Sequence, residues 1–231
     1  MSNKKKNKKK PAAPEQQMSP KNYILTGRAR KLPIAECWIS PNWEGSGLST
    51  IAVARRHNSG NMTLGIYLLD TFCLGLKNTN VLFNQADYEY EDYLDKIFSP
   101  HGGKEPIEYT LAHNIIYGAI AYAEDLGFKP NKDWTLSQMI LEEDTEDIEL
   151  IELEFGKDGK PLFINGPYDN VQKVLNTLNK SVGQGNYDFI TQINDGSDFD
   201  GFDDDDFDDE YDDEDDDNED IEDADFEEIK S

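Results

Sequence analysis

The sequence contains few of the residues from which common catalytic and metal sites are built. Among its 231 residues there are two cysteines and three histidines. Two cysteines cannot form a disulfide framework or a four-thiolate zinc site. The spacings HExxH, CxxC and HxH do not occur, and neither do the calcium loop DxDxDG, the phosphate loops GxGxxG and GK[ST], or GxSxG. We therefore expect no metal site and no cofactor.

Long apolar runs are also missing. The longest is about Ile115–Ala123, far short of the roughly 20 residues that span a bilayer. The basic residues Met1–Lys10 are followed by Pro11–Gln17, which does not supply the apolar core of a secretory signal. We therefore expect a cytoplasmic protein that does not enter a membrane.

Charge is abundant and segregated. The chain has 48 acidic and 22 basic residues, a formal net charge of −26, and 23 of the acids lie between Asp195 and Ser231 beside a single lysine. Six lysines lie within Met1–Lys10. Dense like charges repel one another in any compact form, and neither end has an apolar period that could support a core. The sequence predicts a disordered Lys-rich arm (1–22), one domain (23–193) and a disordered acidic tail (194–231).

The first half of the predicted domain is typical of an antiparallel hairpin followed by helices. Apolar runs at 48–57 and 62–75 flank Asn58-Ser59-Gly60-Asn61, a pattern typical of a hairpin. Both runs are apolar almost throughout, which favours a sheet covered on much of both faces. A short strand is predicted before them, over 33–40. Helices are predicted over 85–98, over 107–126 and, from a Thr135/Gln138 capping pattern, just after residue 135.

The second half is predicted to be a hairpin, a helix and a strand. Residues 148–155 alternate between apolar and acidic side chains, and Asp158-Gly159 predicts a turn into a second strand over 161–165. Asp169 is predicted to cap a helix that ends at Gly183, before a last strand over 187–193. The predicted fold class is α+β, with antiparallel hairpins and with helices mainly on one face.

One candidate catalytic group combines Asp70 and Cys73 with His113. Asp70 lies three residues before Cys73, and His113 lies on the long predicted helix. A Cys–His pair would require an exposed thiol with a lowered pKa and a histidine close to it in space. The alternative is that Cys73, among Phe72 and Leu74, is a small buried apolar side chain, as free cysteines often are.

A second candidate group consists of basic residues that could contact phosphate or nucleic acid. Arg55, Arg56 and His57 follow one another at a predicted hairpin tip, where arginine could bind a phosphate, although a solvated strand end is the alternative. A lysine-rich arm can attract nucleic acid weakly by releasing counterions, or can serve only solubility. The lysines of the arm are Lys4, Lys5, Lys6, Lys8, Lys9 and Lys10.

Two stretches resemble a widespread but uncharacterised family of bacterial proteins. They are ARRHNSGNMTLGIYLLDTFCLGLKNT (Ala54–Thr79) and LEFGKDGKPLFINGPYDN (Leu153–Asn170). The similarity covers about Pro33–Ile190 and leaves out both charged ends. The resemblance implies a shared fold for this region and carries over no catalytic residues.

Two functional hypotheses follow. The first is a non-enzymatic, cytoplasmic docking protein whose charged tails bind basic proteins or nucleic-acid-containing complexes, since an acidic tail can mimic nucleic acid. The tail could also bind the lysine arm, or serve only solubility. The alternative is a small hydrolase or nuclease-like enzyme with a site around Arg55, His57, Asp70 and Cys73.

Overall fold

A computed structural model describes residues 18–191 of the protein. A five-stranded antiparallel sheet forms the centre of this part of the chain. Its strands lie in the order β4-β3-β2-β1-β5, and each neighbouring pair is antiparallel. The strands are β1 (Ile34–Ile39), β2 (Leu48–Arg56), β3 (Met62–Asp70), β4 (Gly75–Gln85) and β5 (Glu105–Pro106). The predicted strand over 33–40 and the β2–β3 hairpin are confirmed.

Six α-helices accompany the sheet within the described range. They are α1 (Pro20–Leu25), α2 (Trp43–Ser46), α3 (Asp87–Phe98), α4 (Tyr109–Asp125), α5 (Trp134–Ser137) and α6 (Val171–Ser181), with short 3-10 turns at Ser99–His101 and Gln138–Ile140. No helix among the described residues is both long enough and apolar enough to cross a membrane. The predicted helices at α3, α4 and α6 are confirmed.

Both faces of the sheet are covered because side chains that alternate along β2 and β3 enter two different cores. Ile51, Val53 and Tyr67 pack with α4 on one face, whereas Ala52, Leu64 and Ile66 pack with α3 on the other. Helices α1 and α5 lie on the α4 side, where Val81 and Phe83 of β4 meet residues of both helices. The α+β class, with helices mainly on one face, is therefore confirmed.

The prediction of one continuous strand over 62–75 is wrong, because the chain turns within this range and a further strand, β4, follows. The chain leaves β3 at Asp70, turns, and returns as β4 from Gly75. Gly75 has a φ of +65°, and a Cβ there would lie 2.6 Å from that of Ala123, so the turn requires glycine. The turn residue Cys73 is fully buried. Because the turn is buried, its sequence is as apolar as that of a strand, and the pattern predicted one continuous strand.

The predicted 148–155/161–165 hairpin is wrong, although its turn is present. Asp158 and Gly159 both have positive φ, and Lys157 pairs with Lys160. Residues 148–155, however, form no strand. Instead β6 (Leu162–Ile164) pairs in parallel with β7 (Asp188–Ile190) in a separate two-stranded sheet.

Three predicted boundaries also change. Helix α1 overlaps the predicted arm (1–22), because Ser19 caps it, Pro20 suits a first turn and Ile24 is buried. Helix α5 begins at Trp134, and Thr135 does not cap it. Asn170, not Asp169, caps α6 by accepting a hydrogen bond from the Lys173 amide. Most of the predicted arm and all of the acidic tail lie outside the described residues.

Candidate functional site

Asp70 is a structural cap inside the β3–β4 turn. Its side chain is 7% exposed, and Oδ1 accepts hydrogen bonds from the amides of Phe72 and Cys73, each 3.0 Å long. Burial raises the pKa of Asp70 to about 6, while the nearby Lys77 charge and these amides act in the lowering direction. The carboxyl thus holds a buried turn together and lines neither of the two grooves described below.

Cys73 and His113 do not form a catalytic pair. Cys73 is fully buried beside Leu126 and Phe163, and burial raises the pKa of its thiol. His113 lies on α4, 13 residues before the Leu126 that Cys73 packs with, and 13 residues correspond to about 20 Å along a helix. Its Nε2 lies 3.2 Å from the Glu142 carbonyl, and burial lowers its pKa. The interpretation of Cys73 as a buried apolar side chain agrees with this structure.

Arg55, Arg56 and His57 do not converge on a phosphate. Arg55 is 1% exposed, so its guanidinium is not available to a nucleic acid. Arg56 is half exposed and lies 3.8 Å from Glu36. The Nε2 of His57 is 2.7 Å from the Thr63 hydroxyl. Alternation along the strand sends the two arginines to opposite faces. The six arm lysines, Lys4 to Lys10, lie outside the described residues.

The buried guanidinium of Arg55 joins segments that are far apart in the sequence. It donates to the backbone carbonyls of Arg30, Leu32 and Ile140. Its Nη2 also donates to the carboxylate of Glu142 at 2.8 Å. These bonds satisfy buried carbonyls where α1 and the turn after α5 meet the end of β2. Arg55 therefore has a structural role that its position in the sequence does not reveal.

Glu142 is the anchor from which an acidic segment leaves the core. The Tyr109 hydroxyl accepts a hydrogen bond from its amide at 2.7 Å, and the Tyr117 hydroxyl donates to its carbonyl at 3.3 Å. The segment that starts here, residues 142–156, contains eight acidic residues and no basic one. We call it the acidic segment.

Six carboxylates of the acidic segment have no salt-bridge partner among residues 18–191. All six are exposed to solvent. They are Asp144, Glu146, Asp147, Glu149, Glu152 and Glu154. Within residues 18–191, only Glu142 and Glu143 of this segment are paired, with Arg55 and Arg30 respectively. The segment thus presents concentrated negative charge that the described part of the domain does not neutralise.

An open groove of about 690 Å³ lies between the acidic segment and α4. Helix α4 contributes the small residues Gly118 and Ala121 as well as Asn114 and Tyr117, and the other wall is residues 150–155 with Asp144. The Phe155 ring lies directly over Gly118, where a Cβ would be only 2.6 Å from the ring. None of the lining residues in the described part of the chain is basic. We call this site the acidic groove.

A second open groove, of about 570 Å³, lies between α1 and the start of the acidic segment. Arg30 and Lys31 line it together with Glu142 and Glu143, so charges of both signs are already present. The Arg30 and Glu143 side chains are joined at 2.6 Å. The acidic groove is therefore the more distinctive candidate site.

The sequence contained a signal for the acidic groove, namely its run of acidic residues, but the alternation of apolar residues in the same stretch obscured it. Eight acids without a base over 15 residues predicts a charged surface, but the alternation of apolar residues led to the prediction of a paired strand. Another contact, Lys77 Nζ to Asp169 Oδ2 at 2.6 Å, joins the stretches 54–79 and 153–170. Comparison of the chain with models of known families, with curated proteins and with solved structures found no match.

Proposed function

We propose that this protein is a non-enzymatic, cytoplasmic docking protein that binds basic proteins, including basic proteins of nucleic-acid-containing complexes. The observation that supports this most is the acidic groove, whose described lining includes the carboxylates of Asp144, Glu152 and Glu154 and no basic residue. Complementary charge speeds association and selects partners more than it adds affinity. The 23 acids of the acidic tail would strengthen the same attraction.

The candidate catalytic residues give the enzyme hypothesis little support. Arg55, Asp70, Cys73 and His113 are all buried in the described domain, and each has packing or hydrogen-bond partners within it. A catalytic group needs access to a substrate in a concave site. Neither described groove is lined by His57, Asp70 or Cys73. We therefore favour binding over hydrolysis.

The proposal is tested with a fluorescently labelled Lys-rich peptide and fluorescence anisotropy. We expect the full chain to bind it at 50 mM salt and to weaken steeply toward 200 mM, because surface charges are screened by salt. A full-length variant in which the 23 tail acids become Asn or Gln should bind more weakly yet measurably. Absence of binding by the unmodified full chain at 50 mM salt would contradict the proposal.

The lysine arm has a separate proposed role in weak contact with nucleic acid. Replacing the six lysines of Met1–Lys10 with glutamine should weaken binding of a single-stranded oligonucleotide and reduce the dependence of that binding on salt. Unchanged affinity and salt dependence in an electrophoretic mobility-shift assay would assign the arm to solubility instead. The basic-peptide result does not depend on this outcome.

A further inference from the structure

We propose that residues 150–154 accept an extended basic peptide of a partner protein by strand addition. This inference rests on the proposed function, because it names the place and the mode by which a basic partner would bind. In strand addition, a peptide pairs its backbone with an exposed strand edge, and alternate side chains give specificity.

Residues 148–155 of the acidic segment have the burial pattern of a strand but no neighbouring strand among the described residues. Ile151, Leu153 and Phe155 are half-buried, whereas Leu150, Glu152 and Glu154 are exposed. Leu153 and Phe155 pack against the core beneath α4. This alternation is that of a half-buried strand, yet no other described segment pairs with residues 148–155 as a strand.

One edge of the segment is occupied by Asn114 of α4. The Asn114 side chain accepts a hydrogen bond from the Ile151 amide at 2.9 Å and donates to the Glu149 carbonyl at 3.0 Å. In an extended chain, the backbone groups of residues two apart leave the same edge. Those of Leu150, Glu152 and Glu154 therefore leave the opposite edge, where residues 18–191 offer them no hydrogen-bond partner.

The segment is held in place at three points. Glu142 is bound through Tyr109 and Arg55, the middle through Asn114, and the Gly156 amide donates to the Thr71 carbonyl at 3.0 Å. A strand that is ordered before the peptide arrives loses little conformational entropy on binding. The open edge is thus a preformed template, of the kind that native proteins usually cover or blunt.

The exposed side chains specify the peptide. Leu150 is 83% exposed and offers an apolar contact, while Glu152 and Glu154 follow on the same side of the segment. Directly opposed side chains on paired strands interact, and opposite charges are favourable. A peptide with Lys or Arg at alternate positions and apolar residues between them complements this row. Charge also argues against an acidic or neutral occupant, because the acidic segment carries six exposed carboxylates that have no salt-bridge partner among residues 18–191.

The decisive probe is a seven-residue peptide of alternating lysine and valine, measured by isothermal titration against the full chain at 150 mM salt. Two versions carry N-methyl groups on alternate residues, one version in each phase. Methylation removes N–H donors from one edge of the peptide only. We expect one phase to weaken binding at least about tenfold and the other to change it little.

Protein variants give an independent readout. Glu152→Gln with Glu154→Gln should weaken the unmethylated peptide several-fold. The matched control, Asp92→Asn with Glu124→Gln, removes the same charge from exposed positions outside the acidic groove and should stay within about twofold. Circular dichroism of each variant confirms that the fold is retained.

The outcomes separate the two proposals. Binding that is equally insensitive to both methylation phases would overturn strand addition and leave charge-driven docking intact, whereas no binding at 50 or 150 mM salt would overturn both. Binding that appears only after the six arm lysines become glutamine would overturn an external partner, because the chain's own arm would then be the occupant. A dimer that the peptide dissociates in sedimentation velocity would instead make a second copy the occupant.

Discussion

Replacing the buried Arg55 with methionine should destabilise the domain severely, and the same change at Arg56 should not. Arg55→Met removes the donors of three backbone carbonyls, those of Arg30, Leu32 and Ile140. A buried acceptor left without a partner costs about 1–3 kcal/mol. Glu142 loses its partner too, but its side chain is 42% exposed and can be solvated. We expect a total loss of about 3–5 kcal/mol, which the three unpaired carbonyls supply together.

Arg56 is the matched control because it is the next residue on the same strand. Its side chain is 49% exposed and its distance to Glu36 is 3.8 Å, so Arg56→Met should cost less than about 1 kcal/mol. Urea unfolding at pH 7, followed by circular dichroism, measures both variants. Arg55→Lys should recover little, because one ammonium cannot replace a planar group that donates in several directions. Equal losses in the Arg55 and Arg56 methionine variants would refute the structural role of Arg55.

Three further predictions concern the β3–β4 turn. The folded pKa of Asp70 is about 6 and the unfolded value is near 4, so the folded state holds a proton more tightly than the unfolded state does. The contribution of Asp70 to stability should therefore fall by about 2–3 kcal/mol as the pH rises from about 4 to 6. Urea unfolding should show that decline in the wild type relative to Asp70→Asn, and parallel pH profiles would contradict it. Burial should protect the Cys73 thiol, so its alkylation by iodoacetamide at pH 8, followed by mass spectrometry, should be at least about a hundredfold slower in the native protein than in urea. Comparable rates would show that the thiol is accessible and would support the hypothesis of a reactive Cys73. Gly75→Ala should destabilise by about 2 kcal/mol or more, because its Cβ would meet Ala123, whereas Gly60→Ala, also at positive φ but with open space around it, should cost about 1 kcal/mol; equal losses would mean that the turn relaxes freely.

Local patterns predicted the elements whose contacts are close in sequence. The β2–β3 hairpin and helices α3, α4 and α6 follow from apolar periodicity and turn residues. The pairing of strands that are far apart in the sequence could not be predicted from these local patterns. Residues 148–155 alternate as a strand should, but Asn114 of α4 satisfies part of one backbone edge, and nothing in the segment's own sequence indicates that contact.

The candidate site shows the same limit. Arg55 and Arg56 are identical residues side by side, and the sequence gives no reason to treat them differently. Arg55 is buried because carbonyls from residues 30, 32 and 140 surround it, and these come from segments at least 23 residues away in the chain. The acidic charge of residues 142–156 was readable in the sequence, but the groove beside it required the position of α4.

The most direct test of the account is an amide NMR titration of the full-length protein with the alternating lysine–valine peptide. We predict that the shifts concentrate on residues 144–155 and on Asn114 and Gly118 of α4. The amides of Cys73 and Asp70 should change little. Shifts that avoid the acidic segment, or that centre on the β3–β4 turn, would contradict the account.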